Sequence, residues 1–324
     1  MPHAIVMRTP GAPSVLQWEA VALSPLQPHE VRLRHTAIGV NYHDVYVRSG
    51  LYQTLKLPGI PGLEAAGVVQ EVGSAVTHLQ PGQRVAYLTR QYGAYAEERT
   101  IAADLLVPLP DGISDSAVAS SFLKGLTAQV LVRTVYPVQP GDWVLVHAAA
   151  GGVGTLLCQW AHQLGAQVIG TVGSPEKIAL AQAAGCAHVV NYREENFVAR
   201  VKAITAGAGV QVAYDSVGKD TFLGSLECLA PCGHLANFGQ SSGPVAPIEV
   251  SQLFAKSNVL SRASVFQHVR TPQLLARAAA SLFEAIKNGT LRLGESRAFA
   301  LRDAAKAHAA LEDRERTQSL VLLP

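Results

Sequence analysis

The apolar positions of this chain fall into two regimes. Over roughly the first 120 residues, apolar and polar side chains alternate in short runs without helical period, as in residues 31–34 (VRLR) and 65–72 (AAGVVQEV). Turn pairs at Pro10 and Gly11, Pro58 and Gly59, Pro61 and Gly62, and Pro81 and Gly82 punctuate them. This half predicts a mostly β, loop-rich domain. From Ser114 the pattern changes. Residues 116–135 are rich in Ala and Leu and predict one helix, stopping before Pro137. Short apolar runs then alternate with helix-period segments. The runs predict strands at 144–147, 168–172, 188–192, 210–215 and 234–238, and one more at 259–266. The segments between predict helices at 156–164, 175–184, 195–205 and 221–229. Such alternation implies an α/β fold with a parallel, doubly wound sheet. Residues 271–288 form an amphipathic helix with Leu274, Leu275, Leu282 and Ile286 on its apolar face. Thr271 supplies its N-cap, Pro272 its first turn and Gly289 its end. A helix at 303–312 and a strand at 319–323 follow the sheet and can rejoin the first domain.

The first parallel strand runs straight into a small-residue turn and a helix, residues 141–154 reading GDWVLVHAAAGGVG. Strand, tight turn and helix is the context in which a glycine fingerprint means dinucleotide binding. Gly151 lets the backbone approach a pyrophosphate, with Ala150, Gly152 and Val153 around it, and the helix start offers N–H groups to its charge. Gly154 lets the helix pack against the strand. Ala149 stands at the first glycine position, so the turn is expected to manage without a positive φ there. His147, ending the strand, reads as a structural polar cap.

The end of the second strand bears on which dinucleotide. NAD enzymes carry an Asp or Glu there to bind the ribose 2′-hydroxyl. Here that position is Gly173, followed by Ser174, Pro175, Glu176 and Lys177. Ser174 can donate to a 2′-phosphate, Lys177 can supply charge, and Tyr192 and Arg193 can close the pocket, which favours NADPH. Glu176 is expected to point to solvent. Phe238, Gly239 and Gln240 end another strand at its carboxyl side, where ligands bind in open α/β sheets.

Composition narrows the function classes. The net charge is +2 and 15% of residues are charged, with no basic run of the kind a polyanion site needs. No apolar run of about twenty residues is present, and the first residues lack the pattern of a signal peptide. A cytoplasmic protein without a membrane anchor is expected. The four cysteines are scattered and carry no second Cys/His pair at zinc-ligand spacing, so a reduced, disulfide-free chain is expected.

These pieces together resemble a known family, over essentially the whole chain. Residues 41–52 (NYHDVYVRSGLY), 122–128 (FLKGLTA), 148–154 (AAAGGVG), 191–193 (NYR) and 214–218 (YDSVG) are similar to the zinc-free medium-chain dehydrogenases/reductases of the NADPH:quinone oxidoreductase, ζ-crystallin-like group. The resemblance implies a GroES-like catalytic domain from residues 1–123 and 267–324 and a Rossmann NADPH-binding domain from 124–266. It implies a homodimer joined through the Rossmann sheets at the strand 259–266. Asn41, Tyr46 and Tyr52 would line the nicotinamide cleft, with Asn41 also contacting cofactor or substrate. Thr127, Ser216, Ser264 and Phe266 would approach the cofactor, and Arg314 matches a basic residue that reaches it, although Gln318 replaces a family glycine. Lys124 is a site residue or a loop charge. Asp44 is expected to fix its loop through neighbouring N–H groups. His43 stands where an apolar residue is expected, and a surface position is expected for it.

The zinc-dependent relatives in the superfamily place Cys where this chain has Asn41 and His where it has Leu63, and neither residue here suits zinc. The four-cysteine structural-zinc loop has no counterpart between Val85 and Glu97. The expected activity is metal-free hydride transfer from NADPH to a quinone. Two alternatives remain open: an enone or enoyl-thioester reductase with Tyr52 as proton donor, and a non-enzymatic, crystallin-like NADPH- or RNA-binding protein.

Overall fold

In the computed structural model, which describes residues 1–313 and 317–324, the chain divides into two compact units. One comprises Met1–Leu123, Val269–Phe283 and Leu293–Pro324; the other comprises Lys124–His268 and Glu284–Arg292.

The second unit is built on a six-stranded sheet, parallel throughout. Its strands are Trp143–Val146, Gln167–Val172, His188–Asn191, Val210–Asp215, Leu229–Asn237 and Val259–Arg262. Counted along the chain, they lie in the order 3-2-1-4-5-6. That order reverses direction beside the first strand, so the loops after strands one and four diverge and leave a crevice at the carboxyl edge. Leu145, Ile169, Val190, Val210, Ala213 and Leu235 are buried in one core cluster, which explains their near-continuous apolar runs. Helices Gly152–Gln163, Ile178–Ala183, Phe197–Ile204 and Phe222–Cys228 connect the strands.

In the first unit, the long strand Glu30–Val40 pairs antiparallel with Glu64–Val72, Glu98–Ala102 and Ser319–Leu323. The last of these pairs in parallel with Ser296–Ala300. The final strand therefore joins the sheet built by the N-terminal third, and its three central residues Leu320, Val321 and Leu322 are buried.

Several elements differ from the sequence expectation. Residues 116–135 are not one helix but Asp115–Ala119 and Phe122–Val130, followed by a π-helical turn, Leu131–Val135. The hydroxyls of Ser120 and Ser121 both donate to the Ala117 carbonyl, at 3.0 and 2.6 Å, and compete with the helical ladder. The expected strand at 259–266 ends at Arg262, whose guanidinium binds Asn237 Oδ1 at 2.7 Å, and a short helix, Val265–His268, follows. Phe266 thus sits on a helical turn, with Ser264 just before it. Residues 41–52, read as loop, contain the helix Tyr42–Ser49.

Candidate active site

In the second unit, the fingerprint turn is set by backbone bonds. Ala149 N–H donates to the Thr171 carbonyl at 3.0 Å, and Gly151 N–H to the Ala148 carbonyl at 2.8 Å. A left-handed residue does occur, at Ala148 (φ 52°), one place before the expected glycine position. The two bonds on either side hold that conformation despite its steric cost. A Cβ on Gly154 would lie 2.1 Å from the Ala148 carbonyl oxygen, so close approach of helix and strand requires glycine there. A Cβ on Gly152 would meet Lys124 Cδ and Cε at 2.8 and 2.9 Å. The lysine stem is therefore laid along the fingerprint, and the first-turn N–H groups of a helix have no carbonyl within it to pair with. Backbone N–H groups, a partial positive helix end and a lysine form a cradle that fits a pyrophosphate.

His147 does more than cap a strand. Its ring lies 2.9 Å from both Thr171 Oγ1 and Ser225 Oγ, and burial lowers its pKa, so it stays neutral and ties two strands to a helix. Asp215 accepts from Val217 N–H, Gly218 N–H and Thr221 Oγ1, shaping the loop that carries Ser216. A Cβ on Gly239 would sit 2.5 Å from the Ser216 carbonyl oxygen. Ser216 and the run Phe238, Gly239 and Gln240 are thereby brought together, beyond strands that pair in register at Asp215 and Asn237.

At the end of the second strand, Tyr192 Oη lies 2.5 Å from where a Gly173 Cβ would be. The tyrosine hydroxyl occupies the place of an acidic side chain. Ser174 hydrogen-bonds the Glu176 carboxylate, and that bond lowers the Glu176 pKa. Glu176 is exposed, as expected, and also hydrogen-bonds Ser174.

In the first unit, the residues expected to form the site, Asn41, Tyr46 and Tyr52, lie at the start of the helix Tyr42–Ser49, within it and just after it. Asp44 accepts from Asn41 N–H at 2.8 Å, closing the helix start, and Gly50 (φ 85°) ends it. The helix is held from outside by Tyr95, which donates to Asp44 and contacts His308 Nε2 at 2.9 Å. Arg48 pairs with both carboxylate oxygens of Glu312 and donates to the Gly11 carbonyl. Burial pushes His308 down to about 3, keeping it a neutral partner.

Asn41 and Glu64 are both buried, and Asn41 Nδ2 donates to Glu64 Oε1 at 2.7 Å. The other Glu64 oxygen accepts from Leu123 N–H at 2.5 Å, and Leu63 between these elements is fully buried. An amide, a hydrocarbon and a carboxylate already accepting two hydrogen bonds do not fit zinc. Among the described residues, no group of three or more His, Cys, Asp or Glu side chains could hold a metal ion.

The tyrosines form one aromatic group. Tyr46 and Tyr52 rings are 5.0 Å apart, Tyr42 lies edge-on to Tyr46 at 5.4 Å, and His43 lies edge-on to Tyr52 at 5.2 Å. His43 is half-buried rather than on the surface, because Tyr52 and Tyr92 flank it. Burial and then Arg90 lower its pKa to about 4. Glu64, Thr54 and Tyr92 escaped the sequence reading. The clue to Tyr92 lay in its neighbours, residues 90–95 (RQYGAY), which replace the loop that carries cysteines in zinc relatives. Thr127 is half-buried on the helix Phe122–Val130. Arg314 lies outside the described residues.

With this geometry in view, residues 27–111 match the alcohol dehydrogenase GroES-like domain family and residues 152–280 the zinc-binding dehydrogenase family. The chain is 46% identical to a quinone oxidoreductase of Salmonella typhimurium, over 97% of each chain. The chain belongs to the quinone oxidoreductase family of medium-chain dehydrogenases/reductases. A solved structure of Escherichia coli quinone oxidoreductase complexed with NADPH superposes with a TM-score of 0.96 at 42% identity, covering 99% of this chain and 100% of that one. A 2-haloacrylate reductase of a Burkholderia species is 41% identical over 100% of this chain and 99% of its own. Asn41, Leu63 and Glu64, whose side chains do not suit zinc, fall within the GroES-like domain match.

Proposed function

We propose that this chain reduces quinones with NADPH, without a metal. The observation that carries the reading is the Asn41–Glu64 hydrogen bond at the position where zinc relatives polarise their substrate. A carbonyl that becomes an alkoxide needs electrophilic help. A quinone that accepts hydride becomes a hydroquinone anion, far less basic, which takes its proton from water. Bound NADPH supplies the hydride.

The residues of the chain bind and orient. Ala150, Gly151, Gly152, Val153 and Lys124 hold the pyrophosphate; Ser174, Lys177 and Tyr192, with Gly173 leaving the space, hold the 2′-phosphate. Asn41, Thr127, Ser216, Phe238, Gly239, Gln240, Ser264, Phe266 and Arg314 are assigned to the rest of the cofactor. Tyr46 and Tyr52 flank the acceptor ring and act by proximity rather than by acid–base chemistry. Tyr46→Phe and Tyr52→Phe are therefore expected to lower turnover less than about tenfold, against the hundredfold or more typical of a general acid. Turnover should also vary little between pH 6 and 8. His43 is neutral above about 4, and burial raises Tyr92 above the ordinary tyrosine range, so neither changes charge in that window.

NADPH oxidation assayed with 1,4-benzoquinone, 2-chloroacrylate and a crotonyl thioester tests the reading. The 41% identical 2-haloacrylate reductase favours a second one, reduction of an activated C=C bond with Tyr52 as proton donor. If Tyr52→Phe abolishes turnover and an alkene outperforms every quinone, the second reading replaces the first.

The reading includes a homodimer. The strand Val259–Arg262 stands at an edge of the parallel sheet, and an edge strand offers unpaired backbone groups. Beside it, the segment Val250–Lys256 exposes Val250 at 80% and Phe254 at 86%. A second copy related by a two-fold axis would cover both the edge and these side chains. Light scattering at micromolar concentration should give a dimer mass, and Phe254→Asp should shift it toward monomer. A monomer mass for the unaltered protein overturns the assignment.

A further inference from the structure

We propose that His43 is a positioning residue for the acceptor, fixing the ring of Tyr52 through a closed circuit of contacts with Tyr92 and Thr54. The proposal rests on the assignment of Tyr52 to the acceptor side.

The circuit can be followed atom by atom. Tyr52 is anchored at its backbone, where its N–H donates to the Tyr46 carbonyl at 2.9 Å. That bond leaves the side chain to be oriented by what it touches. Tyr46 packs on it at 5.0 Å, and the edge of His43 meets it at 5.2 Å with the planes 71° apart. An edge-to-face pair of this kind has a preferred geometry, so the plane of one ring dictates that of the other.

The His43 ring is in turn oriented by a hydrogen bond, Nε2 to Tyr92 Oη at 3.2 Å. The same Tyr92 hydroxyl hydrogen-bonds Thr54 Oγ1, two residues beyond Tyr52. The segment 52–54 is thus gripped twice, at the Tyr52 ring by His43 and at the Thr54 hydroxyl by Tyr92.

Tyr92 is held firmly enough to serve as the anchor. It is 5% exposed, and its backbone is left-handed at φ 54°, a conformation that costs a non-glycine residue about 1 kcal/mol or more. The bonds around it compensate. Gly93 N–H donates to the Ile60 carbonyl at 2.9 Å and Tyr95 N–H to the Pro61 carbonyl at 3.0 Å. An imidazole suits the link because it combines an aromatic edge for Tyr52 with a ring nitrogen for Tyr92. Phenylalanine would provide only the first and glutamine only the second.

The test uses His43→Phe, His43→Gln, Tyr92→Phe and the double variant His43→Phe/Tyr92→Phe, with steady-state kinetics on 1,4-benzoquinone. Each single variant should raise KM about five- to tenfold, as expected for one modest hydrogen bond or ring contact, with kcat within about twofold. The double variant should be no worse than the poorer single, because both remove the same link. NADPH affinity, titrated by fluorescence without acceptor, should stay within about twofold. Unchanged KM in the single variants, additive effects in the double, or a parallel loss of NADPH affinity overturns the proposal. Should His43→Phe fail to fold, Tyr92→Phe, which removes a single oxygen, carries the test. If the unaltered protein oxidises NADPH with no quinone, the functional reading above falls, and the same variants are read with 2-chloroacrylate. Failure of KM to move there, or absence of turnover there too, overturns the role of His43.

Discussion

Gly154→Val should weaken NADPH binding more than about a hundredfold and lower the melting temperature by about 6–12 °C. A Cβ at this position would lie 2.1 Å from the Ala148 carbonyl oxygen, 2.9 Å from its carbon and 3.0 Å from Ala149 Cα. All three are backbone atoms of a turn that cannot give way. Ala148 is already left-handed, and the bonds from Ala149 to Thr171 and from Gly151 to Ala148 pin it on both sides. The helix Gly152–Gln163 must therefore lift from the sheet, at a cost of about 3 kcal/mol as in overpacked cores. For a unit of this size that is roughly 2–4 °C per kcal/mol. The lifted helix also carries away the first-turn N–H groups proposed to hold the pyrophosphate, so NADPH Kd should rise more than about a hundredfold. Gly152→Ala is the control. Its Cβ would meet only the flexible stem of Lys124, so melting should change little while NADPH binding weakens by the displacement of that lysine. Thermal unfolding by circular dichroism and fluorescence titration with NADPH read both variants. A Gly154→Val protein that melts and binds normally would refute the account of the turn.

Lys177→Ala should lower the preference for NADPH over NADH by about ten- to a hundredfold. The reasoning starts at Gly173, where a dinucleotide enzyme selective for NAD would carry its acid. Tyr192 Oη lies 2.5 Å from where a Gly173 Cβ would be, so a side chain there would have to displace the tyrosine hydroxyl. Lys177 closes the 3-10 turn Pro175–Lys177 just beyond, and a charge-assisted bond from lysine to phosphate is worth about 1.5–3 kcal/mol. Glu176 works against this preference, since its carboxylate hydrogen-bonds the Ser174 hydroxyl proposed to bind the 2′-phosphate. Glu176→Ala should therefore move the preference in the opposite direction from Lys177→Ala. Ratios of kcat/KM for the two cofactors, measured with one quinone, decide the matter. An unchanged ratio in Lys177→Ala would remove that residue from the pocket.

The departures from the sequence reading share a cause. The helix Tyr42–Ser49 buries Asp44, Val45, Val47 and Arg48, so half of its buried face is charged. Hydrophobic period cannot reveal such a face. It is stabilised by partners far along the chain, Tyr95 for Asp44 and Glu312 for Arg48, the latter 264 residues away. His43 was misplaced for the same reason, since it is covered by Tyr92, from a loop 49 residues on. At 259–266 the apolar run continues past the strand, but Arg262 binding Asn237 ends the pairing.

What the sequence determined by itself were the features that rest on local chemistry. Apolar runs gave the parallel strands, because a strand covered on both faces has no polar side to show. The small residues 148–154 gave the fingerprint, because only a turn without bulky side chains lets helix, strand and ligand approach. Asn41 and Leu63 gave the absence of a zinc-binding donor set, since ligation depends on side-chain chemistry. The tertiary structure decided what depends on pairing between distant segments: the 3-2-1-4-5-6 strand order, the return of Ser319–Leu323 to the strand Glu30–Val40, and the Asn41–Glu64 bond. It also decided the left-handed residue at Ala148 and the circuit from Tyr52 through His43 and Tyr92 to Thr54. A buried polar group is stable only when its partner is present, and the partner's place in space is set by the whole fold.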